Sequence, residues 1–138
     1  MKESSSSTSR PVLIAAEPQL FVADINASCT FFTHKLGFSV VFTYGEPPYY
    51  AQVKRDGAAL NLRCVEGVAI DPDLRDREEL LSASIIVASA GEITQLATDF
   101  RQAGVNFAQA LSKKPWGALD FIIKDIDGNL LLFAGPAE

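Results

Sequence analysis

The chain has 138 residues, of which 48% are apolar and 21% charged, and a formal charge of −5. That length and apolar share suit one domain with a real core, and the acidic balance with no cluster of Lys or Arg excludes a nucleic-acid binder. The apolar piece at residues 12–16 is too short for a signal-peptide core or a membrane span, so a soluble, cytoplasmic chain without a membrane partner is expected. In chain order, the Ser-rich polar run 1–11 and the short apolar piece after it, residues 1–16 together, read as a disordered or poorly ordered tail. Residues 18–23 read as a strand, Asp24 is a good N-cap, and Ile25, Cys29, Phe32 and Leu36 share one helical face. Gly37 ends that helix, with Phe38 as the apolar residue that follows. Residues 38–44 read as a strand, 45–48 as a loop, and 49–54 with 58–65 as a hairpin turning at Asp56-Gly57.

The pattern then repeats. After a charged connector (67–80), residues 82–88 read as a strand, Ser89 and Glu92 have capping-box spacing, and Ile93, Leu96, Ala97, Phe100 and Ala103 form a helical face stopped by Gly104. Residues 118–124 and 130–133 read as a second hairpin, with Asp127-Gly128 as a two-residue turn signal. Phe21–Asp24 aligns with Ile86–Ser89, and Lys35–Phe38 with Gln102–Val105. Two copies of one βαβββ unit, at 17–66 and 81–135, account for nearly the whole chain. The predicted class is α+β, with tandem βαβββ modules forming a cup-shaped mixed sheet and helices on the outer face. Cys29 and Cys64 fall in a helix and a strand, with no CxxC, and read as reduced structural thiols.

The paired modules, the phrase DINASCTFFTHKLGF and the phrase PWGALDFIIKDIDGNLLLF resemble the vicinal oxygen chelate superfamily, which includes glyoxalase I, extradiol dioxygenases and bleomycin resistance proteins. The PWG lead-in resembles the bleomycin-binding branch in particular. That branch implies a homodimer with drug-sized grooves between subunits and no catalysis. The superfamily's enzymes imply a divalent metal in the cup, with ligands on the first and fourth strand of each module.

By the internal repeat, those ligand places fall at or beside Glu17, Asn61, Ser82 or Ser84, and Leu132. Only Glu17 is a good ligand type, and zinc or a hard cation needs three or more donors, so neither a metal nor another cofactor is expected. His34, the only histidine, is read as a solvated helix residue. No Ser-His-Asp order, phosphate-binding loop or GxGxxG is present, and Asp125 and Asp127 read as turn residues.

What the resemblance leaves is a lined groove. Under its registry the cup face takes Gln19, Phe21, Ala59, Asn61, Arg63, Ser84, Ile86, Leu130 and Leu132, a mix of apolar walls and hydrogen-bonding groups suited to a small molecule. Tyr49, Tyr50 and Trp116 come from loops at the rim, either to stack on a ligand or to pack an interface. Arg63 either binds an anionic group or pairs with a neighbouring carboxylate. The expected function is metal-free, homodimeric sequestration of a drug-like or secondary-metabolite ligand. Its ligand-binding residues are Trp116, Tyr49, Tyr50, Asn61, Arg63, Phe21, Ser84 and Leu132, with no catalytic residue. The alternative is a superfamily lyase, isomerase or dioxygenase.

Overall fold

The structure, a computed structural model, describes residues 10–138. Eight strands and three helices follow in order: β1 (Gln19–Val22), α1 (Ile25–Leu36), β2 (Ser39–Tyr44), β3 (Tyr50–Arg55), β4 (Ala58–Cys64), α2 (Pro72–Glu78), β5 (Leu81–Ile86), α3 (Ala90–Gln102), β6 (Asn106–Lys113), β7 (Ala118–Lys124) and β8 (Leu130–Pro136). They form two four-stranded sheets, ordered β1-β4-β3-β2 and β5-β8-β7-β6. In each sheet the first strand pairs parallel with the last and the other pairings are antiparallel. These are tandem βαβββ modules of an α+β fold, as the repeat predicts.

Local chemistry explains the helices. Asp24 accepts a hydrogen bond from the Ala27 amide at 2.9 Å, satisfying one of the free donors at the start of α1. Gly37, at φ +74°, ends the helix, and the Phe38 amide closes back on the Phe32 carbonyl at 3.0 Å. Ser89 caps α3 by accepting from the Glu92 amide at 3.2 Å, and its hydroxyl donates to the Glu92 carboxylate at 2.8 Å. Ile25, Cys29, Phe32 and Leu36 of α1 lie over Leu20, Ala51, Val53, Leu60 and Leu62, while Ile93, Ala97 and Phe100 of α3 lie over Phe121, Ile123, Leu131 and Phe133. The rings of Phe121 and Phe133 stack at 5.3 Å, with Phe100 edge-on to both.

Hydrogen bonds join the two modules at one end of β1, an edge strand of the first sheet. The end of β1 is hydrogen-bonded to the loop 125–129: the Ala23 amide donates to Asp127 Oδ1 at 2.9 Å, and Asn129 Nδ2 donates to the Phe21 carbonyl at 3.0 Å. That loop leads into Leu130, which pairs with Leu81 at the start of β5. At the other end, residues 16–18 before β1 line a common cavity with residues 85–88 at the end of β5.

Two sequence readings change. Asp127-Gly128 is not a two-residue turn, because β7 and β8 part at the pair Lys124 and Leu130 and five residues connect them. Asp125 produces the longer loop by accepting from the amides of Asp127 and Asn129 at 2.9 and 2.8 Å through one carboxylate oxygen. The connector contains a helix, α2, begun by Asp71 accepting from the amides of Asp73 and Leu74, with Pro72 in its first turn. Of the polar start, residues 1–9 lie outside the described residues. Residues 10–18 have no regular secondary structure, and Val12, Leu13 and Ile14 are strongly exposed.

Candidate ligand-binding face

In a strand, alternate side chains point to opposite faces. Because Leu20, Val22, Ala51, Val53, Leu60 and Leu62 face α1, their neighbours Gln19, Phe21, Tyr50, Gln52, Asn61 and Arg63 stand on the open face of the first sheet. Cross-strand register arranges that face in rows. Tyr44 is opposite Tyr50, Tyr50 opposite Arg63, and Arg63 opposite Phe21, so one row crosses all four strands. The next row is Phe42, Gln52, Asn61 and Gln19. Four strands about 4.8 Å apart make each row roughly 14 Å long.

The two rows differ in chemistry. In the second, Gln52 Nε2 donates to Glu17 Oε1 at 3.0 Å and to Asn61 Oδ1 at 2.9 Å, and Asn61 Nδ2 reaches Glu17 Oε1 at 3.4 Å. The Glu17 carboxylate is thus held by two amides. In the first row the rings remain open: Phe21 is 37% exposed and Tyr44 64%. Phe42 lies against Tyr50 with centroids 6.0 Å apart, and Tyr44 packs edge-on to Tyr49 at 5.7 Å. Arg63 is exposed and has no hydrogen bond or ion pair among the described residues.

The second sheet shows the reverse pattern at the places equivalent by the repeat. Where the first module has Asn61 and Gln52, the second has Leu132 and Ile122; where the first has Tyr50, Phe42 and Tyr44, the second has Asp120, Gln109 and Ser112. Asp120, almost fully buried, accepts from Gln109 Nε2 at 2.7 Å and pairs with Lys114 Nζ at 3.4 Å. Lys114 Nζ also donates to Gln109 Oε1 and Ser112 Oγ, both at 3.1 Å, which ties down the root of the turn carrying Trp116.

The donors do not fit the divalent metal of the superfamily's enzymes. At the expected places stand one carboxylate, Glu17, already bound by two amides, the amide of Asn61, and Ser84 paired with the apolar Leu132. Among the described residues no group of three or more His, Cys, Asp or Glu side chains is placed to hold a metal ion. His34 is exposed in the last turn of α1.

Of the site residues read from sequence, Phe21, Tyr50, Asn61 and Arg63 are brought together on one face. Ser84 and Leu132 pair with each other on the second sheet. Tyr49 and Trp116 sit in the outer turns of different modules, and Trp116, 75% exposed, stacks on no other ring among the described residues. Phe42, Tyr44 and Gln52 were not singled out from sequence. A bulge in β2 between Val40 and Phe42 accounts for the first two, because counting in twos from the buried Phe38 puts both rings on the core side. Gln52 carried a usable signal, lying two residues after Tyr50 in a strand with core residues Ala51 and Val53.

Two cavities flank the face at the module junction. One, of about 150 Å³, lies among Phe21, Ala23, Arg75, Asp127 and Asn129, and the other, of about 1000 Å³, between the β3-β4 turn and α3. Neither includes Tyr50, Asn61, Arg63 or Trp116, while Phe21 lines the first and Ser84 the second.

The sequence from 14 to 133 matches the model of the Glyoxalase/Bleomycin resistance protein/Dioxygenase superfamily. The chain belongs to this superfamily. No curated protein matches it. Among solved structures of the superfamily, a glyoxalase/bleomycin resistance protein/dioxygenase from Alicyclobacillus acidocaldarius has a TM-score of 0.72 at 19% identity, covering 91% of this chain and 92% of that one. A domain of the same description from Frankia sp. EAN1pec has a TM-score of 0.71 at 20% identity, covering 93% and 95%. A bleomycin-binding protein complexed with bleomycin has a TM-score of 0.67 at 19% identity, covering 89% and 98%. At these identities the likeness is one of fold. Among the described residues no helix is long and apolar enough to cross a membrane.

Proposed function

We propose that this superfamily member is a binding protein that sequesters a planar, drug-like or secondary-metabolite ligand without transforming it, and that it acts as a homodimer with the second wall of each site supplied by the partner. The observation that carries the reading is the transverse row Tyr44, Tyr50, Arg63 and Phe21, bordered by Phe42 and the Glu17–Gln52–Asn61 cluster. Aromatic rings left open on a sheet face offer stacking area at little cost in side-chain entropy, and the amides beside them give orientation. The bleomycin-bound relative of the same fold supports a small-molecule ligand for such a face. The enzymatic alternative loses support because the apolar Leu132 stands at one of the places where a metal-dependent site needs donors, and only Glu17 among those places is a good ligand type.

The test is a thermal-shift screen of glycopeptide and aromatic antibiotics, bleomycin included, followed by single substitutions. A ligand that binds should quench or shift the emission of the one tryptophan. Tyr50→Ala and Trp116→Ala should each weaken its affinity about tenfold, the equivalent of about 1.4 kcal/mol of stacking. The ligand should be recovered unchanged after incubation. Recovery of a product instead would replace sequestration by catalysis, and unaltered affinity in both variants would move the site elsewhere.

A further inference from the structure

We infer that the ligand is a planar aromatic anion, whose carboxylate or comparable oxyanion is held by Arg63 while its ring system lies along the row Tyr44–Tyr50–Arg63–Phe21. This rests on the binding function proposed above and adds the charge of the ligand. In a chain with a net charge of −5, carboxylates are plentiful, yet Arg63 has no ion pair among the described residues and stands exposed between Tyr50 and Phe21 in the register. Among the described residues, the carboxylate hydrogen-bonded on its face is that of Glu17, which lies by the next row and is engaged by Gln52 and Asn61. The second cation of the face, Lys54, lies opposite Ala59, two residues along β3 from Gln52.

A guanidinium presents a planar fork of donors matched to two oxygens of an oxyanion, which a point-charge ammonium does not. Strands about 4.8 Å apart place Arg63 beside a ring on each side, so a ligand whose oxyanion is coplanar with its rings can meet donor and ring faces together. A cationic ligand meets the opposite situation: the guanidinium at the middle of the row repels it, and the Glu17 carboxylate is already occupied.

The experiment uses two probes of equal size, 2-naphthoate and 2-naphthalenemethanol, titrated into the full chain and followed by protein-observed NMR. Naphthoate should bind about ten- to a hundredfold more tightly than the alcohol, the range expected of a charge-assisted bidentate contact. Arg63→Ala should abolish that difference, Arg63→Lys should restore part of it, and Lys54→Ala should leave it in place. A difference that survives Arg63→Ala, or that Lys54→Ala reduces equally, overturns the assignment in favour of diffuse charge. If the two probes bind equally and Tyr50→Ala weakens both, the aromatic row stands and the anionic class falls. If neither probe binds at a few millimolar, or Tyr50→Ala changes nothing, the inference and the binding function beneath it fall together.

Discussion

Replacing Asn129 by Ala should cost this protein about 3 kcal/mol of stability, more than a surface change normally does. Asn129 is 3% exposed and works in three directions: its Nδ2 donates to the Phe21 carbonyl at 3.0 Å and to Asp125 Oδ2 at 2.9 Å, and its Oδ1 accepts from the Ser82 hydroxyl at 3.4 Å. The first of these bonds crosses from one module to the other. Truncation leaves the Phe21 carbonyl and a buried carboxylate oxygen each short of a donor, and orphaned buried acceptors cost about 1–3 kcal/mol apiece, with charged ones at the upper end. The long Ser82 bond adds little. For a chain of this length about 3 kcal/mol lowers the melting temperature by roughly 10 °C. Circular dichroism during heating and urea titration reads both quantities, with Asn106→Ala, an exposed residue of β6, as the control expected within about 0.5 kcal/mol. Asn129→Asp should be worse than Asn129→Ala, because it sets a second carboxylate against Asp125. A loss below about 1 kcal/mol in Asn129→Ala, or a more stable Asn129→Asp, would refute the idea that this loop clamps the modules together.

Burial holds the Asp125 carboxyl above the ordinary carboxylate range, the bonds from Asn129 offsetting only part of that. Its contribution to stability is therefore full below the ordinary pKa near 4 and is lost as pH rises through the raised value, and a carboxyl titration by NMR with a midpoint below 4 would refute this. Asp76 behaves oppositely: the hydrogen bond from Lys124 lowers its pKa, so its contribution is present above the ordinary value and fades as pH falls through the lowered one. Light scattering at micromolar concentration should give about twice 14.9 kDa, and a clean monomer would remove the partner wall from the proposed site. Protein purified without chelator should carry well under one equivalent of zinc, iron, manganese or nickel by elemental analysis, and a stoichiometric metal would revive the enzymatic alternative.

The periodic parts of this fold were legible in the sequence. Four apolar residues at helical spacing, with Asp24 before and Gly37 after, define α1, and the same logic with Ser89 and Gly104 defines α3. The connector helix α2 was not, since its run of alternating charges has no apolar stripe, although Asp71-Pro72 is a usable start signal. The bounds of the loop 125–129 followed from the flanking strands, but its geometry escaped, because it is set by the Asp125 side chain bonding back to the main chain, which no spacing records. For the site, the registry implied by the resemblance put Asn61, Arg63 and Phe21 on one face, in keeping with pleat alternation. It failed in β2, where one inserted residue exchanges the faces of everything after it.

The outer strand β2 also matters before the protein is assembled. Between Ser39 and Tyr44 there is no charge and no proline, every residue is exposed, and Val40, Val41, Phe42 and Tyr44 are 41–64% accessible. Its counterpart β6 is interrupted by two irregularities and ends on Lys113, devices that discourage stray pairing. A newly made chain therefore presents one sticky edge and one guarded edge, so solubility during overproduction should be governed by β2. Val41→Lys, on the bulge, is the smallest change that would blunt it, and a gain in soluble yield without loss of the folded signal would identify that strand as the aggregation-limiting element.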